Sequence, residues 1–292
     1  MAIDNDFIGF RFNGTHSSDL NIYRVSDGSR YNDNLLPNFQ DKTAQVTGGD
    51  GTLYWESFYT QRQISIQIAF DSMTEQNYRQ MRQVFNGKAY GQLIFDEAPY
   101  KYYYAKVQNS PQLKTICFDV NGTRIYKGEG SINFICYYPY AKSVHKFLDE
   151  FNSQDYPTKS QWTAASGMKP TKASYDGTGN TVYLYNAGDV PTDFCAYFPI
   201  GSSGSALSQI QIANAGVLTF TGIARKGSND SYIRINTRTN LVEGCNSSYE
   251  LTGTLYNQFI NAGDFFRVPL GESTLSCSGA GCSKIEYDYL YY

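Results

Sequence analysis

The sequence predicts a mainly β protein built as two domains, and three observations carry that expectation. Aromatic residues make up 16% of the 292 residues, with 26 Tyr and 18 Phe against 4 Met, a balance that favours half-buried pleated surfaces over helix bundles. Short apolar runs with period-two alternation recur between clusters of Gly, Asn, Asp and Ser, the pattern of strands joined by turns. The chain also exceeds the roughly 250 residues at which one core tends to split, so two cores are expected.

The first domain, assigned to residues 1–150, opens on an extended run from Phe7 to Phe12. From Asn13 to Gly51 the chain is polar and longer than a structureless connection normally runs, so it should hold short strands or serve as an arm. Arg62 to Phe70 alternates, with Ile64, Ile66, Ile68 and Phe70 on one face and Ser65 and Gln67 on the other. Ser72 followed by Glu75 reads as a capping box, and Tyr78, Met81, Val84 and Phe85 give helical spacing up to Asn86-Gly87. Strands are expected over 93–95, 100–107 and 115–120, with Asn121-Gly122 as a two-residue hairpin turn. Lys127-Gly128-Glu129-Gly130 reads as a two-glycine corner leading into a buried strand that carries Ile132, Phe134 and Cys136 on one face and stops near Pro139. Val144, Phe147, Leu148 and Phe151 have the spacing of a short amphipathic helix.

Between 152 and 179 the composition turns to Ser, Thr, Gly, Lys and Pro, which places the domain boundary there. The second domain, residues 151–292, shows strand patterns at 181–185, 194–198, 208–212, 217–220, 232–235, 241–242, 265–270 and 284–292. Short strands at that spacing argue a sandwich or jelly roll.

Charge and residue types exclude several function classes. The formal net charge is -3, and without a basic run the chain lacks the footprint of a nucleic-acid or anionic-membrane binder. No apolar run reaches the roughly 20 residues of a membrane-spanning helix. The two histidines, His16 and His145, lie in polar or charged surroundings and read as solvated, and no nucleophile elbow or phosphate loop is present. Paired carboxylates such as Asp96-Glu97 and Asp149-Glu150 stand on neighbouring positions, the wrong geometry for a glycosidase pair. The chain is therefore expected to hold no catalytic, cofactor or metal site and to be no enzyme. Gly48-Gly49-Asp50-Gly51 reads as a turn, not an anion nest. The amino-terminal residues Met1 to Asp6 do not resemble a secretory leader, so the six cysteines are expected as free thiols, with Cys277 and Cys282 the pair close enough in sequence to suspect.

Two binding readings remain. Exposed aromatics on a jelly roll can stack on sugar rings, and Trp162, Tyr175 and Tyr183 are the candidate saccharide contacts of a carbohydrate-binding module. Alternatively, a Tyr-rich β protein with a long polar arm and open strand edges suits protein assembly. Ser65 and Gln67 are the candidate oligomer-interface residues on the face opposite the Ile row.

Four motifs in order, Phe10-Arg11-Phe12-Asn13-Gly14, the stretch Lys127 to Ala141, Asn186-Ala187-Gly188-Asp189-Val190, and Ile285-Glu286-Tyr287-Asp288-Tyr289-Leu290, resemble the distal tail proteins of long-tailed, siphovirus-type phages. The resemblance runs from about Phe7 to Tyr292. It implies an N-terminal ring-forming β domain with one or two short helices and a C-terminal galectin-like sandwich. It also implies a homo-oligomer, a hexameric ring at the tail tip of the virion, assembled in the host cytoplasm. The 13–51 region would serve as a belt between neighbours. Implied partners are the major tail tube protein, the tape measure protein, and a tail-associated lysin, tail fibre or receptor-binding protein. The His-x-Asn-x-Arg and Trp-Gly-x-Glu runs of a working galectin groove are absent, and Trp55-Glu56 lacks that context.

Overall fold

A computed structural model describes residues 9–25, 32–33, 36–88, 90–144, 147–150, 174–175, 181–200, 207–223 and 225–292, of which 32–33, 147–150 and 174–175 are described in backbone only. The chain divides into one unit ending at Val144 and a second running from 145 to Tyr291.

The first unit is organised by two long antiparallel strands, Arg62–Thr74 and Thr123–Cys136, in register from Ile125 opposite Thr74 to Cys136 opposite Arg62. Period-two alternation sends Ile64, Ile66, Ile68, Phe70 and Met73 into the core beside Ile132, Phe134 and Cys136. The sheet continues outward through Lys101–Val107, Tyr90–Phe95, Phe10–Phe12 and Thr15–His16 on one side and Tyr23–Arg24 on the other. Phe10 and Phe12 point inward and close the core: Phe12 meets Phe134 edge-on at 5.0 Å and stacks on Phe85 at 6.0 Å. Each such ring removed from water contributes about 1.5–3 kcal/mol.

The helix is Glu75–Val84, with Met81 and Phe85 buried against the sheet. Its cap is Thr74, whose hydroxyl accepts from the Asn77 amide at 3.3 Å, and not Ser72. The reason is the ladder: strand pairing persists to Thr74, so Ser72 is still extended and the helix cannot begin there. Residues 128 and 130 also differ from expectation. Neither glycine turns a corner; both lie inside Thr123–Cys136, near a register irregularity between Tyr126 and Gly128. What they supply is room, since a Cβ on Gly130 would stand 2.2 Å from the Gln112 carbonyl oxygen and one on Gly128 2.5 Å from that of Lys114.

Two hairpins leave the body of this unit. Gln112–Val120 and Thr123–Cys136 join through Asn121 (φ 53°) and Gly122 (φ 77°), the paired positive angles a two-residue turn needs. Tyr126 on this hairpin stacks on Tyr78 of the helix at 4.5 Å and donates its hydroxyl to Glu75. The Tyr126 hydroxyl, then Arg79, hold the Glu75 carboxyl below its ordinary value, and the Tyr126 hydroxyl is raised in turn. The other hairpin, Phe39–Gln45 with Thr52–Tyr59, is a separate two-stranded sheet. The polar region thus divides: Thr15–His16, Tyr23–Arg24 and Asn32–Asp33 pair with strands of the sheet, and the projecting arm is 39–59 with the 48–51 turn at its tip.

In the second unit two six-stranded sheets face each other. One runs Phe147–Glu150, Lys284–Tyr287, Phe194–Pro199, Tyr232–Asn236, Leu241–Cys245, Leu251–Leu255, and the other Ser174–Tyr175, Thr181–Asn186, Gly271–Ser278, Gln209–Ile212, Gly216–Phe220, Ile260–Gly263. Val182, Leu184, Phe194, Phe198, Ile233 and Leu275 lie among the buried core residues between them. The helix expected over 144–151 is instead the strand Phe147–Glu150, paired with Lys284–Tyr287. Four apolar positions are too few for periodicity to decide, and an open sheet edge offers a full ladder. The run 265–270 forms only a bridge between Val268 and Thr192, with Pro269 unable to donate. The boundary segment 152–179 lies outside the described residues apart from 174–175.

Candidate functional site

The two later motifs turn out to build one joint of the second unit. The buried Asn186 amide donates to the Val190 carbonyl (3.0 Å) and the Val268 carbonyl (3.3 Å), its oxygen accepts from the Gly188 amide (3.0 Å), and the Asp189 amide donates to the Leu290 carbonyl (2.7 Å). A Cβ on Gly188 would stand 2.4 Å from that same Leu290 oxygen. These residues tie the 186–190 turn to the carboxy-terminal strand and to the 268 bridge.

Among the described residues there is no cluster of three or more His, Cys, Asp or Glu able to hold a metal ion. No described helix is long and apolar enough to cross a membrane. His16 is not the solvated residue expected from sequence. Its Nε2 lies 3.1 Å from Asp96 and its Nδ1 2.6 Å from the Ser18 hydroxyl, and it caps the 3-10 turn Ser17–Leu20 while Asp96 also accepts from the Gly9 amide. Ser, His and Asp thus meet, but structurally: His16 makes a reciprocal cap with Asp19, whose carboxylate accepts from the His16 amide at 3.2 Å, while Asp96 ties the first strand to the loop after Phe95. All six cysteines are free thiols, Cys277 and Cys282 included. Burial pushes Cys277 up to about 12 and Cys245 up to about 11, so both stay protonated and unreactive.

What the first unit does present is exposed apolar and aromatic surface on a rigid sheet. On the 39–59 hairpin Phe39 and Trp55 are each 66% exposed, and Leu53, Tyr54 and Phe58 also face solvent. On the second hairpin Ile116, Phe118 and Val120 form a stripe of alternate exposed positions. Tyr90, Tyr104 and Tyr137 make a third patch, with the first two rings stacked at 5.6 Å. Beside it a cavity of about 820 Å³ opens between the helix end and the 107–113 segment. Met81, Phe85, Ile132, Ile135 and Leu113 line its floor; Arg82, Lys88 and Lys106 stand on its rim, and no carboxylate lines it.

The candidate residues fall as follows. Ser65 is half-buried and Gln67 exposed on the polar face of the long strand, with Asn133 and Ser131 opposite them. Tyr183 is 44% exposed on Thr181–Asn186, and Tyr175 pairs in backbone register with Val182 rather than with Tyr183. Trp162 lies outside the described residues, as does the Tyr175 side chain. Sequence reasoning missed the strand Thr52–Tyr59 and the cavity. The 48–51 glycine cluster was the available signal for the hairpin, whereas the cavity joins residues more than fifty positions apart.

Comparison with known proteins fits this surface-rich architecture. Residues 18–136 match the phage tail protein RIFT-related domain. No curated protein matches the chain in sequence. Among solved structures the chain is similar to SPP1 Dit (gp 19.1), described as a paradigm of the hub adsorption apparatus in phages that infect Gram-positive bacteria. The match has 11% identity and a TM-score of 0.58, and covers 98% of this chain and 99% of that one. A chain of the phage P2 baseplate in its activated conformation with Ca matches at 14% identity and a TM-score of 0.43, covering 97% of this chain and 98% of that one. Residues 18–136 thus resemble a phage tail protein RIFT-related domain, and the chain as a whole shares the mainly β fold of SPP1 Dit.

Proposed function

We propose that the chain is a structural protein of the phage tail tip, closing through its first unit into a ring, hexameric by the resemblance, that connects the tail tube to the tip apparatus. The observation that carries this reading is the 39–59 hairpin. A lone two-stranded hairpin is marginal in water, and this one holds six large apolar or aromatic side chains in solvent, Val46 among them. Such an element is stable when another surface covers it. A ring requires heterologous contacts, one surface of a subunit against a different surface of the next, and a projecting arm on a rigid sheet supplies one half of such a joint.

In this reading the major tail tube protein docks on one face of the ring and the lysin, fibre or receptor-binding apparatus on the other, with the tape measure protein as a further neighbour. The second unit, with its galectin-like sandwich, decorates the periphery. The polar face of Ser65 and Gln67 meets a neighbour or the lumen.

Light scattering across a dilution series, under reducing conditions and with negative-stain imaging, tests the assembly. Six copies of the 32.8 kDa chain should give roughly 200 kDa and ring images. A monomer at every concentration would overturn self-closure. Replacing Ser65 and Gln67 together by Glu should lower the ring fraction severalfold at a fixed concentration. An unchanged mass distribution would remove that face from the joint.

A further inference from the structure

The groove between the helix end and the 107–113 segment has one sign of charge on its rim. Arg82, Lys88 and Lys106 border it without a carboxylate among the lining residues, and no described acid forms an ion pair with any of the three. Arg82 lies over the Tyr78 ring at 4.6 Å, which fixes its position without neutralising it. Between these cations the lining combines apolar Met81, Phe85, Leu113 and Ile132 with polar Asn86, Gln108, Asn109 and Ser110, and Tyr137, 56% exposed, stands at its lip.

The same chain carries a surface of opposite character. Hairpin 39–59 bears three carboxylates, Asp41, Asp50 and Glu56, against one cation, Lys42, which pairs with Glu56 at 3.4 Å and leaves Asp41 and Asp50 as its excess negative charge. Its Leu53 and Trp55 are 53% and 66% exposed, and Trp55 sits at the register irregularity between Lys42 and Thr43, where two residues face one and the strand bends. Its eight-residue strand reaches about 25 Å along its own axis. A volume of about 820 Å³ admits two large side chains with room for the strand that carries them.

We propose that this groove receives the 39–59 hairpin of a neighbouring copy, apolar side chains inward and carboxylates against the cationic rim. The assignment rests on the ring reading and specifies its joint. Apolar burial supplies the stabilisation, and complementary charge fixes the register and excludes a hairpin-to-hairpin or groove-to-groove contact, each of which sets like charges together.

The test uses two full-length variants, Arg82→Glu with Lys106→Glu in the groove and Leu53→Ala with Trp55→Ala in the hairpin. Each alone should remain monomeric at concentrations where the wild type assembles. Mixed one to one, they should form a species of about 66 kDa, two copies of the 32.8 kDa chain, and nothing larger, because only one joint per pair is intact. That mixed dimer also shows that both variants are folded. If the wild type assembles and either variant assembles equally well, or the mixture stays monomeric, the groove assignment is wrong while the ring stands. If the wild type itself never assembles, the ring reading fails and this joint with it.

Discussion

Gly130→Ala should destabilise the first unit more than any other single methyl added to its sheet. The new Cβ would lie 2.2 Å from the Gln112 carbonyl oxygen and 3.0 Å from the Leu113 Cα, both backbone atoms, with the Leu113 side chain at 2.8 Å. A flexible side chain can swing aside, but a strand held by nine register pairs cannot. The pairing must open around residue 112 or the long strand must bend. Overpacking of this kind costs about 3 kcal/mol, a fall on the order of 10 °C in the transition of a unit this size. Gly122→Ala is the matched control, since nothing lies within 4 Å of its Cβ and only the φ of +77° is strained, which costs about 1 kcal/mol. Equal thermal shifts for the two variants would mean that the strands yield and the close approach is not what the glycine serves.

The second large effect is expected at Asp230, wholly buried in the second unit. Its carboxylate accepts from the Tyr256 hydroxyl at 2.6 Å, the Thr252 hydroxyl at 2.5 Å, the Gly227 amide at 3.0 Å and the Thr254 hydroxyl at 3.4 Å. This group ties the loop before Tyr232–Asn236 to the edge strand Leu251–Leu255. Asp230→Ala removes their shared acceptor, and leaves Tyr256, with none of its surface exposed, without the one its hydroxyl donates to. Losing hydrogen bonds to a buried charge costs about 3 kcal/mol or more.

Acidity should separate the carboxylate from its shape. Burial pushes the Asp230 carboxyl up, but the hydroxyls of Thr252 and Tyr256, the Gly227 amide and Thr254 outweigh it, so its value in the folded chain is lowered. The unfolded chain therefore takes up the proton first. The stabilisation is fully present above about pH 4, the ordinary aspartate range, and is lost as pH falls through the lower folded value. Urea midpoints at pH 7 and pH 3 should fall further for the wild type than for Asp230→Asn. Parallel falls would assign the acid sensitivity to other groups.

Much of this architecture is readable from local pattern. The alternation of Ile64, Ile66, Ile68 and Phe70 predicts both the strand and its buried face, and Asn121-Gly122 predicts its turn, because both signals act over a few residues. Ser72 and the 144–151 run mislead for one shared reason: in each a local helical signal competes with a ladder to a strand distant in sequence, and the ladder prevails. Gly128 and Gly130 show a subtler limit. Composition marks them as special, but only the neighbouring strand at 112–114 reveals that space, not backbone angle, is the need. The Asp230 knot was invisible for the same reason, its partners lying 22 to 26 residues away on separate elements.

The distribution of thiols has a practical side. Cys136, Cys245, Cys277 and Cys282 are buried, Cys195 is partly covered and raised by its burial, and Cys117 on the 112–136 hairpin is the exposed one of the six. A chain with a single reachable sulfur has no second to meet within itself. A disulfide from it can then form only between molecules, joining two subunits hairpin to hairpin in an arrangement unrelated to any ring. A preparation aged in air would carry covalent pairs that pass for an assembly intermediate.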